Sequence, residues 1–235
     1  MDGVILDGMP FHVEAWEKAF GHYGMQIDRN DLYLLEGVKS RDVVEWLSVN
    51  RGMNLSDDQR DAVATLKQRI YADLFRVVPL RGGPELVRLL AGFGYEISLV
   101  TGTSHVAATH MLKELSLQDD IPFVVSADSV TRGKPAPDPY SLALDLLSVV
   151  RTNCIAIENS PVGLESASSA GLPCVAVATY LPASALCKAD RVFETLDELQ
   201  MWFTSEFRAS NGIGPWQPGD RFVSPSVAFP GDMSR

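Results

Sequence analysis

From Leu80 onward the chain alternates short apolar runs with amphipathic helical stretches, and that alternation restricts its fold more than any other feature. Residues 97–100, 123–125, 154–157, 174–177 and 191–193 read as strands. Between and after them, residues 85–93, 104–115, 139–149, 161–170 and 196–207 carry the helical period. Arg81-Gly82-Gly83-Pro84 reads as a turn, with Pro84 suited to a first helical position. Ser104 and Ser160 are placed to cap helices, Asp138 to cap the helix at 139, and Gly171 to end the helix before it. Strands alternating with helices predict an α/β fold with a parallel sheet and right-handed crossovers.

Residues 11–78 do not fit that scheme. Trp16, Ala19, Phe20 and Tyr23 share one helical face, and Gly24 is a natural end for that helix. A second helix is predicted from Ser40, taken as its N-cap, and a third from Ser56 to about residue 76. So long a helical run ahead of the next strand predicts an inserted helical bundle, residues 11–78, within a core formed by 1–10 and 79–208.

The first eight residues, Met1-Asp2-Gly3-Val4-Ile5-Leu6-Asp7-Gly8, read as the end of a buried strand breaking into a tight loop. Acids at such positions serve loop amides or catalysis. Three later stretches favour catalysis: Ser98-Leu99-Val100-Thr101-Gly102, Gly133-Lys134-Pro135-Ala136-Pro137-Asp138, and Ile157-Glu158-Asn159-Ser160-Pro161-Val162-Gly163. With the opening stretch, and in this order, they resemble the motifs of the haloacid dehalogenase-like phosphohydrolases, in the β-phosphoglucomutase and phosphoglycolate phosphatase branch. The resemblance covers about residues 1–205.

What it implies is a Rossmann-like parallel-sheet core with a helical cap, and a Mg²⁺-dependent phosphohydrolase acting through a phosphoaspartate. A carboxylate nucleophile divides hydrolysis into two steps, and phosphoryl transfer needs charge neutralisation and in-line positioning. The resemblance makes Asp2 the general acid/base, with its backbone carbonyl on Mg²⁺. Thr101 and Gly102 would hold phosphoryl oxygens, and Lys134, on a backbone stiffened by glycine and prolines, would offset their charge. Glu158 and Asn159 would serve the metal. The family usually has Glu-Asp there, so the neutral Asn159 predicts a weaker metal site. His12, near the start of the cap, is a candidate gating donor, and Asp7 a candidate for shaping the first loop. Arg41 matches a cap position that grips a distal phosphate, and with Lys39 it sustains a phosphomutase alternative. A catalytically impaired phosphate-binding protein is the other alternative. The family's first motif is Asp-x-Asp-Gly. Met1 fills the x position and Asp2 the second Asp, so the nucleophile and most of the first strand are expected ahead of Met1, and the chain is expected to turn over little by itself.

Composition limits the partners. Thirty acidic against twenty basic side chains, a formal charge of −10, argue against nucleic acid or a membrane surface as partner and leave a small phosphorylated metabolite. Of the three cysteines, Cys154, Cys174 and Cys187, none has metal-ligand spacing, and Cys154 and Cys174 are expected to be buried thiols, in keeping with a cytoplasmic protein. A monomer is expected. Residues 209–235, rich in Gly, Pro and Ser, are expected to form a flexible tail, with Trp216 and Phe222 as its candidates for docking.

Overall fold

The computed structural model describes residues 1–209. The expected tail, with Trp216 and Phe222, lies outside the described residues. Four helices come first: α1 (Met9–Gly21), α2 (Arg29–Leu34), α3 (Ser40–Asn50) and α4 (Asp57–Leu74). There follow α5 (Gly83–Gly92), β1 (Ser98–Val100), α6 (His105–Glu114), β2 (Phe123–Val125), α7 (Asp138–Leu147), β3 (Ala156–Glu158), α8 (Pro161–Ser169), β4 (Cys174–Val177), β5 (Arg191–Phe193) and α9 (Leu196–Ala209).

Side-chain alternation along the strands sorts the core into two faces. Leu99, Val175 and Val177 join an apolar cluster with Leu86 and Leu90 of α5, Leu112 of α6, and Leu199 and Trp202 of α9. Their neighbours Val100, Cys174 and Ala176 join the opposite cluster, with Tyr140 and Ala143 of α7 and Leu164 and Ala167 of α8. Period-two strands between helices on both faces give a three-layer α/β arrangement.

All the strand pairs are parallel. β1 pairs with β2, Leu99 opposite Val124, while β3, β4 and β5 lie side by side with Ala176 opposite both Glu158 and Val192. The one expected sheet is thus two among the described residues. Residues 1–6 curl instead of extending: the Met1 carbonyl accepts the N–H groups of Ile5 (2.8 Å) and Leu6 (3.1 Å). Between the two sheets lies an apolar slot of about 210 Å³, lined by Leu99 on one side and Ile157 on the other, with Val4, Leu86 and Met1 among its walls.

Helices α1–α4 bury a separate cluster, with Trp16, Phe20, Leu32, Leu47 and Val63 at its centre. The connections entering and leaving this module run antiparallel: Leu80 N–H donates to the Ile5 carbonyl and Asp7 N–H to the Val78 carbonyl, each at 2.9 Å. α4 opens at Ser56 as expected, and Ser56 and Gln59 form a capping box there. Ser40 does not cap α3. It is the first helical residue, and Lys39 stands at the cap position without a side-chain capping bond. Asp138 likewise begins α7 and turns its carboxylate to Arg132, so the capping role predicted for it fails. The module also holds α2, capped by Asp28 and too short for its period to be read. Cys174 is buried and free, but Cys154, ahead of β3 and not within it, is only partly buried. No helix among the described residues is long and apolar enough to cross a membrane.

Candidate active site

Parallel strands place all their C-terminal ends on one side of the sheet, and loops leaving those ends gather side chains that are far apart in sequence. Thr101 leaves β1, Asn159 leaves β3, and Lys134 stands in the loop that leads from β2 to α7. With Asp2 they line a cavity of about 450 Å³ whose other wall is the helical module.

Lys134 is buried, and its Nζ donates to Glu158 Oε1 at 2.5 Å and to the Val100 carbonyl at 3.3 Å. The Tyr140 hydroxyl donates to the same carboxylate oxygen, also at 2.5 Å. Burial raises the Glu158 carboxyl, but the ammonium and these hydrogen bonds outweigh it and hold the group below the ordinary glutamate value. Glu158 is therefore committed to orienting Lys134. Gly163 leaves room for this carboxylate, since a Cβ there would lie 2.1 Å from Glu158 Oε2. Thr101 N–H pairs with the Val125 carbonyl at 2.9 Å, and its Oγ1 accepts the Thr103 N–H at 3.2 Å, which leaves the hydroxyl proton to donate. Gly102 lines the cavity beside it.

Asp2 has one carboxylate oxygen, Oδ1, buried without a hydrogen-bond partner. Burial pushes its carboxyl above the usual aspartate value. Gly3, at a φ of 69°, makes the turn after it and lies against Asn159: a Cβ at Gly3 would sit 1.9 Å from Asn159 Nδ2. Asp7 lies to one side of the cavity, its Oδ1 accepting the Tyr180 hydroxyl at 2.6 Å.

His12 lines the cavity from the module side, stacked on Tyr71 with 4.1 Å between ring centroids. Its Nδ1 is 2.8 Å from Lys67 Nζ, so the ammonium donates and the ring proton falls on Nε2. Burial, and next the Lys67 charge, hold the imidazole well below its ordinary value, so it is neutral at pH 7. Arg41 is not brought to the cavity. It pairs with Asp61 at 3.3 Å, with 57% of its side chain exposed. Lys39 is spent on core carbonyls, those of Val130 at 3.0 Å and Thr131 at 3.1 Å.

Lys67, Tyr71 and Glu36 are among the lining residues not singled out from the sequence. Lys67 is a lysine on the buried stripe of α4, at helical spacing from Val63 and Tyr71, and that misplaced charge was the available signal. Tyr71 lies one turn further on. Glu36 sits in the loop between α2 and α3, and its Oε2 accepts the Asn159 amide at 2.7 Å. Burial and then the Asp2 charge push its carboxyl up to about 8. No local pattern marks it.

Burial also lowers the Lys67 ammonium to about 8 from an unfolded value of 10.5, against a pull upward from Asp2. The unfolded chain therefore holds the proton more tightly between those values, and the buried charge destabilises the fold fully below pH 8 and progressively less toward pH 10.5. Lys67→Met is expected to stabilise the protein by about 1–3 kcal/mol at pH 7, after allowing for the lost contacts with Trp16 and Tyr71. The gain in melting temperature over wild type should shrink as pH rises from 8 to 10. A constant gap would mean that Lys67 does not titrate in this way.

A profile described as haloacid dehalogenase-like hydrolase matches residues 1–177. The chain belongs to that family. Fructose-1-phosphate phosphatase YqaB of Escherichia coli is 30% identical over 183 residues, which is 75% of this chain and 93% of that protein. The β-phosphoglucomutase of Bacillus subtilis is 27% identical over 205 residues, covering 86% of this chain and 89% of the relative. A solved structure described as a putative β-phosphoglucomutase from Bacteroides vulgatus aligns with a TM-score of 0.76 at 25% identity, over 89% of this chain and 87% of that one. As a haloacid dehalogenase-like protein, the chain is thus similar to phosphatases and phosphomutases of sugar phosphates.

No three His, Cys, Asp or Glu side chains among the described residues are grouped closely enough to cage a metal ion. Mg²⁺ does not need a cage. It keeps several waters and binds through one or two carboxylates together with substrate phosphate. The Asn159 carbonyl oxygen and the buried Glu36 carboxylate offer hard oxygen donors at the cavity, and that chemistry fits Mg²⁺.

Proposed function

We propose that the chain is the working part of a Mg²⁺-dependent phosphohydrolase of small phosphorylated metabolites, sugar phosphates first, acting through a phosphoaspartate on an Asp one residue ahead of Met1. The observation that carries this reading is the convergence of Asp2, Thr101, Lys134 and Asn159 on one cavity. Helices α1–α4, which form the far wall, act as the cap that excludes water from bound substrate.

The Thr101 hydroxyl and the amides beside Gly102 hold phosphoryl oxygens, and Lys134 offsets their charge. In the first step the bond from phosphorus to the leaving oxygen breaks as a bond to the aspartate carboxylate forms, and Asp2 gives the leaving oxygen its proton. In the second step water attacks the phosphorus, Asp2 takes a proton from it, and phosphate departs with the nucleophile restored. A carboxyl raised by burial suits a group that must both give and take a proton near neutrality. Mg²⁺, when bound, would neutralise phosphate charge, held by the Asp2 backbone carbonyl, Asn159 and substrate.

The positions of Lys39 and Arg41 favour hydrolysis over the phosphomutase alternative, because neither side chain is presented to the cavity as a grip for a second phosphate. The excess of acidic side chains argues against nucleic acid or membrane partners, the free cysteines favour a cytoplasmic enzyme, and we take it to be a monomer. The test is Mg²⁺-dependent phosphate release from fructose 1-phosphate, glucose phosphates and phosphoglycolate, with the nucleophile supplied ahead of Met1. Asp2→Asn in that protein should lower kcat by about 10²–10⁴-fold. Full activity in Asp2→Asn would remove Asp2 from the chemistry. No release from a folded, extended protein would favour a phosphate-binding protein.

A further inference from the structure

Glu36 is the least expected residue of the cavity. It belongs to the helical module, and its N–H donates to the Tyr33 carbonyl there, yet it also reaches the core: Asn159 Nδ2 donates to its carboxylate at 2.7 Å, and the Ser160 hydroxyl donates to its backbone carbonyl at 3.2 Å. Only 9% of the residue is exposed. Among the described residues its carboxylate has one hydrogen-bond partner, a neutral amide, and no basic side chain at ion-pair distance. A buried carboxylate without a cation is costly to maintain, and a bound cation relieves that cost. A second acid on the same cavity, Asp2, also has a buried oxygen lacking any partner. The amide that Glu36 touches stands where the family usually has an Asp, so the core lacks a carboxylate at position 159 and the module presents one beside it.

We infer that Glu36 supplies a metal-ligating carboxylate beside the neutral Asn159, so that Mg²⁺ is held across the seam between module and core. The inference rests on the Mg²⁺-dependent reading above. It makes metal binding and closure of the module one event: the loop bearing Glu36 reaches the metal only while seated against Asn159 and Ser160. It also answers the charge deficit at Asn159, which otherwise leaves a weak site.

The test is Mg²⁺ titration by calorimetry without substrate, with hydrogen exchange of residues 35–39 as a second readout. Glu36→Gln keeps the shape and still accepts the Asn159 amide, so the fold should persist, and circular dichroism checks this. It should bind Mg²⁺ at least ~10-fold more weakly than wild type. Asn159→Asp added to Glu36→Gln should restore affinity by returning the charge to the core. Mg²⁺ should slow exchange in residues 35–39 of wild type but not of that double variant. Equal affinity in wild type and Glu36→Gln would overturn the role of Glu36 and leave the Mg²⁺ reading standing. Absence of Mg²⁺ binding in wild type and in Asn159→Asp alike would overturn the Mg²⁺ reading, and the inference with it.

Discussion

Extending the chain at Met1 by an apolar strand that ends in aspartate is expected to raise phosphate release from sugar phosphates by on the order of 10⁴–10⁶-fold, the scale on which removing a nucleophile lowers catalysis. Met1 lines both the apolar slot and the catalytic cavity, so a strand running through the slot delivers its last residue beside Asp2. β1 and β3 border the slot from opposite sides, and both belong to parallel sheets. A strand between them would pair on both edges and join the sheets. An otherwise identical extension ending in asparagine separates the two effects. It should raise the melting temperature as much and the rate hardly at all. Equal rates from the two extensions would show that the residue ahead of Met1 is not the nucleophile.

Lys134→Met is expected to destabilise the protein by about 3–5 kcal/mol, the usual consequence of removing one partner from a buried ion pair. Lys134 and Glu158 are 7% and 6% exposed, and the Glu158 carboxylate would keep only Tyr140 and a backbone amide as partners. At about 2–4 °C for each kcal/mol in a protein of this size, thermal unfolding should show a fall on the order of 10 °C. Glu158→Gln in the same chain should recover much of it, since an amide carries no charge to strand. If Lys134→Met melts with wild type, the pair is not the anchor its burial suggests. Phosphate release would separately report the loss of the ammonium from the cavity.

The strand–helix alternation, the start of α4 at Ser56 and the caps at Ser104 and Ser160 were legible in the sequence because each depends on residues within a turn or two of one another. Asp2, Thr101, Lys134 and Asn159 were legible as candidates because each stands in a short motif where an apolar run meets a loop. Their meeting at one cavity follows from parallel pairing, which sends every strand end to the same side.

What only the tertiary structure decided are the contacts between distant residues. Glu36 meets Asn159 across 123 positions, and Lys67 meets His12 across 55. Arg41, a candidate by motif, turns to Asp61 and away from the cavity, and its neighbour Lys39 reaches core carbonyls. The separation of the strands into two sheets depends on which edges find a partner, and a single strand's pattern does not name its partner. Local periodicity determines which face of an element is apolar. Packing then determines what that face meets, and with it which charges are buried, paired or left for a ligand.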